Sequence, residues 1–282
     1  MKGLIGCFAQ RYIAGTHRAE AIEAARRLNG AGLRATIDNL GENVEDAGEA
    51  LLTVKEYSSL LDDIKDSGVA ATVSLKLTHL GLDISYGVAR DNAAEIVKRA
   101  LDLDNFVWFD MEGSAYTQRT IDIFLDVHGR HPNCGIAIQS CLLRSAGDVA
   151  LLIKEQAAVR LVKGAYKEPP EISYALKRDV DKNYAALMRE LLLKSAMPAI
   201  ATHDRRLIDE AVRFASGNGI PKGSFEFQML LGIKRGLQRS LAADGYRVTV
   251  YVPYGVNWLP YTLRRLRERK ENIFFVLRNI LD

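Results

Sequence analysis

The chain has 282 residues, 48% hydrophobic and 26% charged, which suits a globular protein able to bury one extensive core. Its 38 Lys and Arg nearly balance 35 Asp and Glu, and the net charge of +3 argues against a nucleic-acid binder with a strongly basic face. Cys7, Cys134 and Cys141 form no CxxC and suggest neither a disulfide framework nor a zinc site, which points to a reducing, cytoplasmic compartment; no apolar run reaches the ~18 residues of a membrane span, and MKGLIGCFAQRYIAG is too short in apolar residues for a signal peptide.

From the N-terminus, His17–Asn29 has helical spacing and precedes a β-branched run, Leu33–Asp38. A helix follows over Asp46–Ser67, then a strand over Ala71–Leu77, a helix over Val88–Asp104 and a strand over Phe106–Met111. Strands are predicted again at Gly135–Gln139 and Val159–Lys163, with Ser145 between them placed as a helix N-cap. Past the Pro169-Pro170 break, Ile172–Ser195 reads as a helix of six turns. Strands at Ala199–Thr202, Ser224–Gln228 and Val248–Val252 follow, with Asp204 as a second N-cap, and a helical stretch, Glu271–Leu281, closes the chain. Alternation of strand and helix implies parallel strands, because each crossover is helical. Eight such units in this length predict an α/β fold of the (β/α)8 TIM-barrel type, distorted, with a short N-terminal helical segment and a C-terminal helix. A doubly wound open sheet is the alternative. No linker or low-complexity tract interrupts residues 1–282, so one domain is expected.

In such a barrel the active site lies at the C-terminal ends of the strands. There the apolar runs acquire polar residues: Lys76, Asp110-Met111-Glu112, Gln139, Arg160, Lys163-Gly164, Thr202-His203-Asp204, Glu226, Gln228 and Tyr251. A buried charge without a partner costs several kcal/mol, so these residues are either paired or used. An ion-pair network capping the barrel accounts for any one of them, with Lys76 as partner of Asp110 or Asp110 capping a helix near Ser114. Convergence of seven strands favours a site. Arg160 and Lys163 in VRLVKGAY suit an electron-accepting or polyanionic cofactor, and Gly164 permits close backbone approach. Thr202-His203-Asp204 opens a helix, where free N–H groups bind phosphate. Arg264 and Arg265, at the start of YTLRRLRERK, suit bidentate carboxylate recognition as well as they suit a solvated face. The five histidines show no HxxxH or HxH, and no GxGxxG or GxxxxGK[ST] follows a strand, so metal, Rossmann and P-loop sites are unsupported.

Nearly the whole chain resembles proline dehydrogenases, both the single-function bacterial type and the corresponding domain of bifunctional proline-utilisation proteins. The resemblance rests on VSLKLTHLGLD, FDMEGSAYT, IAIQSCLLRS, VRLVKGAY, IATHD, FEFQMLLG, VYVPYG and LRRLRE, in that order. It implies an FAD enzyme that oxidises L-proline to Δ1-pyrroline-5-carboxylate, the first step of proline catabolism to glutamate, by hydride transfer from C5 to flavin N5. It also implies a quinone acceptor and so transient contact with the inner face of the membrane. By the same resemblance Asp110 and Arg160 are catalytic. Met111, Gln139, Arg160, Lys163, Gly164, Ala165, Thr202 and His203 contact FAD. Lys76, Asp110, Tyr166, Leu230, Tyr251, Arg264 and Arg265 form the proline pocket, with the two arginines clamping the carboxylate. The N-terminal helical arm is shorter than in many relatives, and Lys167 stands where some carry an aromatic residue. Two other classes compete: a Schiff-base lyase built on Lys163, and a non-catalytic small-molecule binding module.

Overall fold

Each run anticipated as a strand is one in the computed structural model, which describes residues 11–259, 261 and 262. The order is α1 (Arg18–Asn29), β1 (Arg34–Asn39), α2 (Ala47–Ser67), β2 (Ala71–Leu75), α3 (Tyr86–Asp102), β3 (Val107–Phe109), α4 (Ser114–His128) and β4 (Cys134–Gln139). It continues with α5 (Ser145–Lys154), β5 (Ala158–Val162), α6 (Lys177–Lys194), β6 (Pro198–Ala201), α7 (Arg205–Gly217), β7 (Glu226–Leu230), α8 (Arg235–Ala243) and β8 (Arg247–Tyr254). All neighbouring strands are parallel, and β1 pairs with β8, Ile37 opposite Val252, so the sheet closes. The open-sheet alternative is thereby excluded, and the fold is a (β/α)8 barrel.

The strands alternate with period two, and the alternation is what creates the site. Outward positions such as Ile37, Val73, Leu75, Phe109, Leu161, Phe227 and Val250 are buried against the helices in one large core. Each such side chain contributes about 1.5–3 kcal/mol of burial. The positions between them are polar and face one another across the barrel: Asp38, Ser74, Asp110, Arg160, Gln228 and Tyr251. Most barrels fill this space with branched apolar residues. Here only Trp108, Ala158 and Ala199 form a small separate apolar cluster.

Helix α1 packs against β8, β1 and α2, filling the seam where the barrel closes. It does so with the small face Ala21, Ile22, Ala24 and Ala25.

Two local expectations are corrected. The helix predicted from Ile172 starts at Lys177, because the preceding residues bridge to the end of β4: Leu143 N–H donates to the Ile172 carbonyl and Tyr174 N–H to that of Cys141. Ser145 is not an N-cap but the first residue of α5, and its hydroxyl donates back to the carbonyls of Gln139 and Leu142. Asp204 does cap α7, accepting from Arg206 N–H at 3.1 Å. Cys7, Arg264, Arg265 and the predicted helix at Glu271–Leu281 lie outside the described residues.

Candidate active site

Strand β2 ends at Leu75, and the next side chain, Lys76, points into the barrel mouth. Its ammonium lies 2.9 Å from Asp38 Oδ2, 3.3 Å from Asp110 Oδ2 and 3.3 Å from the Tyr251 hydroxyl. Asp110 is the hub. Its Oδ1 accepts from Ser74 Oγ at 2.8 Å and from Arg160 Nη1 at 2.6 Å, and its Oδ2 accepts from Tyr251 at 2.6 Å. Five strands therefore meet in one network, and Asp38, Lys76 and Arg160 are at most 5% exposed. Two cations and two carboxylates buried together each incur a desolvation penalty, which their mutual attraction and hydrogen bonds offset.

The electrostatics follow from that enclosure. Burial pushes the Asp110 carboxyl up, but Lys76, Arg160 and the hydrogen bonds of Tyr251 and Ser74 outweigh it and hold Asp110 below the usual carboxylate range. For Asp38 burial dominates and raises the carboxyl despite Lys76. Burial opposes the charge on Lys76, yet Asp38 and Asp110 prevail and keep its proton bound more tightly than in water. With four donors on its two oxygens, Asp110 holds its neighbours in place and has no lone pair directed at a substrate proton.

The Arg160 guanidinium lies over the Trp108 ring at 4.6 Å and 5.7 Å from the Tyr251 centroid. Nη1 also donates to Ser74 Oγ at 2.9 Å, whereas Nε and Nη2 are buried with no partner among the described residues. The Arg160 side chain lines a cavity of about 430 Å³. Thirteen predicted site residues fall within the described residues, and all thirteen line this cavity: Lys76, Asp110, Met111, Gln139, Arg160, Lys163, Gly164, Ala165, Tyr166, Thr202, His203, Leu230 and Tyr251.

Beyond the buried network the rim is built differently. Lys163 is shared by Asp181 at 2.5 Å and Asp204 at 3.0 Å. His203 Nε2 accepts from the Leu230 N–H at 2.8 Å, which assigns its ring proton to Nδ1. Gln139 Nε2 donates to the Glu112 carbonyl at 2.9 Å. Gly164 has φ +111°, and a Cβ there would stand 2.3 Å from Cys141 Sγ, so only glycine fits. A larger cleft, about 550 Å³, lies between α1 and α2, but its charged residues Arg18, Glu56 and Asp63 are spent on one another at 2.6 and 2.9 Å.

Asp38 and Trp108 belong to the site although they were not singled out in the sequence. Asp38 closes LRATID as Asp110 closes VWFD, so the same strand-end criterion finds it. Trp108 is two residues before Asp110 and must share its face.

Glu112 sits just behind the site, accepting from Thr78 N–H at 3.1 Å and from the Thr78 hydroxyl. Burial pushes its carboxyl up to about 7. An acid whose folded pKa exceeds its unfolded value stabilises the fold fully below the unfolded value and loses that stabilisation as pH rises through 7. Glu112→Gln does not titrate, so it is expected to match the parent at pH 4 and exceed it at pH 8 by on the order of 3 kcal/mol. Denaturant midpoints at the two pH values check this; equal gaps at both would refute it.

Among the described residues no group of three or more His, Cys, Asp or Glu could hold a metal, and no helix is long and apolar enough to cross a membrane. Cys134 and Cys141 are free thiols pushed up by burial to about 12 and about 11.

A sequence profile described as "Proline dehydrogenase" matches residues 21–278. The chain belongs to the proline dehydrogenase family. It is 38% identical over 272 residues to proline dehydrogenase 2 of Bacillus subtilis (strain 168), covering 96% of this chain and 90% of that protein. It is 37% identical over 278 residues to the proline dehydrogenase of Deinococcus radiodurans, covering 97% and 90%. Proline utilization A (PutA) from Bdellovibrio bacteriovorus, solved after inactivation by N-propargylglycine, superposes with a TM-score of 0.87 at 26% identity. That match covers 94% of this chain and 33% of the longer protein. Family membership makes this chain an oxidoreductase, and the buried network above is the part of a proline dehydrogenase barrel that the five converging strands assemble.

Proposed function

We propose that the chain oxidises L-proline to Δ1-pyrroline-5-carboxylate with a non-covalently held FAD and passes the electrons to a quinone. The observation that carries this is Arg160, a buried cation lining the cavity with two donors that find no partner among the described residues. Buried donors ordinarily have acceptors, and the polar edge of an isoalloxazine ring offers them. The Gly164 cradle supports the same fit, since it lets a planar group approach the backbone beside Gln139. When bound, FAD would supply the two-electron acceptor for hydride from the substrate carbon next to nitrogen.

What remains for the protein is to bind, orient and exclude water. Arg160 favours negative charge developing on its neighbour without reorganising, because Asp110 and Trp108 fix it. Met111, Gln139, Lys163, Ala165, Thr202 and His203 would hold the cofactor along the rim. Lys76 and Tyr251 would form the polar floor under the substrate, with Tyr166 and Leu230 as its walls. Catalysis by Asp110 is then electrostatic: it positions Lys76, Arg160 and Tyr251. Tyr261 would help wall the pocket, and Arg264 and Arg265 would clamp the substrate carboxylate. N-propargylglycine, the inactivator of the Bdellovibrio protein, is a secondary amino acid, as proline is. A quinone acceptor implies that the protein, placed in the cytoplasm on this reading, makes transient contact with a membrane surface.

The lyase alternative loses its basis in Lys163, whose ammonium is spent on two carboxylates. A binding module leaves Arg160 unexplained. Anaerobic addition of L-proline to the purified, flavin-loaded protein should bleach the flavin absorption; a spectrum unchanged at saturating proline would overturn the proposal.

A further inference from the structure

The floor of the cavity carries a charge that the reaction itself does not require. Arg160 is already matched by Asp110 at 2.6 Å, and Lys76 also reaches Asp110 at 3.3 Å. A second carboxylate, Asp38, nonetheless stands 2.9 Å from Lys76 at the end of β1. It is 0% exposed and does not line the cavity, so no substrate can touch it. Tyr57, from α2, approaches its other oxygen at 3.5 Å and is itself anchored to the Ser74 carbonyl at 2.8 Å. A buried carboxylate in such a place is costly unless its charge has a use.

We propose that Asp38 is a positioning residue that sets the floor's charge to zero, and so fits the pocket to a zwitterionic amino acid rather than to a simple carboxylate. The inference rests on the proline reading of the site. With Asp38 present, Lys76 and Arg160 are balanced by Asp38 and Asp110. With Asp38 neutral, the floor carries one excess cation. The other titratable groups around Lys76 offset it only in part: half-buried Glu42 also attracts Lys76, but less than Asp38 and Asp110 do, Glu112 is engaged by Thr78, and His79 is held neutral because burial and Lys76 push it down to about 4. An excess cation in a low-dielectric pocket attracts an acid of charge −1. Toward a zwitterion it attracts one end and repels the other.

The test uses the flavin-loaded full chain and two ligands of one shape: L-proline, through KM and kcat, and cyclopentanecarboxylate, through competitive inhibition and perturbation of the flavin spectrum. In Asp38→Asn the ring acid should bind at least ten-fold more tightly while KM for proline rises and kcat changes less. A role confined to holding Lys76 in place would weaken both ligands alike, and that outcome overturns the proposal. The Lys76→Met variant keeps the test open should Asp38→Asn fail to fold. There the floor has an excess negative charge, and adding Asp38→Asn should recover at least ten-fold in acid affinity; no recovery overturns it. A parent protein that responds to neither ligand would instead sink the proline reading and this inference with it.

Discussion

Asp110→Ala is expected to abolish proline-dependent flavin reduction and to lower stability by about 3–5 kcal/mol, the loss typical of a broken buried ion pair. Both effects follow from its place as hub. Four donors from three strands converge on its two oxygens: Ser74 and Lys76 from β2 and its end, Arg160 from β5 and Tyr251 from β8. Without it Lys76 keeps Asp38, but Arg160 retains only the Ser74 hydroxyl, and its charge is left buried and uncompensated. At roughly 2–4 °C per kcal/mol for a domain of this size, the melting temperature should fall by about 10 °C. The network is shielded from solvent, so added salt should restore little of the loss. Thermal melts in low and high salt, with anaerobic reduction assays on whatever protein folds, check both parts. A variant with parent-like stability would mean the hub does not hold the barrel mouth together.

Arg160→Ala separates the two effects. Asp110 would keep Lys76, Tyr251 and Ser74, so the stability loss should be smaller than in Asp110→Ala. Flavin reduction should slow by about 10²–10³, the usual consequence of removing one preorganised electrostatic group. Arg160→Lys should not rescue it. A lysine offers a point charge and cannot hold Asp110, stack on Trp108 and keep further donors free together. Stopped-flow reduction with matched flavin content distinguishes slower chemistry from poorer retention. A rate within a few-fold of the parent would remove Arg160 from the cofactor's side of the mechanism.

Much of the barrel was legible because buried parallel strands must be apolar and short. Runs such as LRATID and VTVYV admit little else, and the inward polar residues stood out against them. Their convergence was legible too, since strand ends of a barrel share one mouth. Pairing was harder. The partners of Lys163 are Asp204, on the next βα turn, and Asp181, on α6, and no spacing rule links them. The protonation of Glu112 depends on enclosure that only packing creates. Asp38 escaped notice because cations drew the functional reading, although the charge that balances a cation matters as much as the cation. Trp108 was hidden in VWF, where its neighbours Val107 and Phe109 do face the core. The start of α6 was misjudged because Ile172-Ser173-Tyr174 is helix-compatible in isolation but is taken up by contacts to the end of β4.

The helix at the seam also constrains how the chain is made. Helix α1 is made before the barrel it covers, yet one of the strands it docks on is β8, more than 200 residues later. Until that last strand emerges, β1 presents a bare edge and α1 an uncovered apolar face, the conditions under which nascent chains aggregate or recruit chaperones. Closure between chain ends is also slow, because loop entropy is lost before the contact is made. Starting synthesis after Asn29 would remove the seam's cover altogether, leaving the outer faces of Ile37 and Val252 to water.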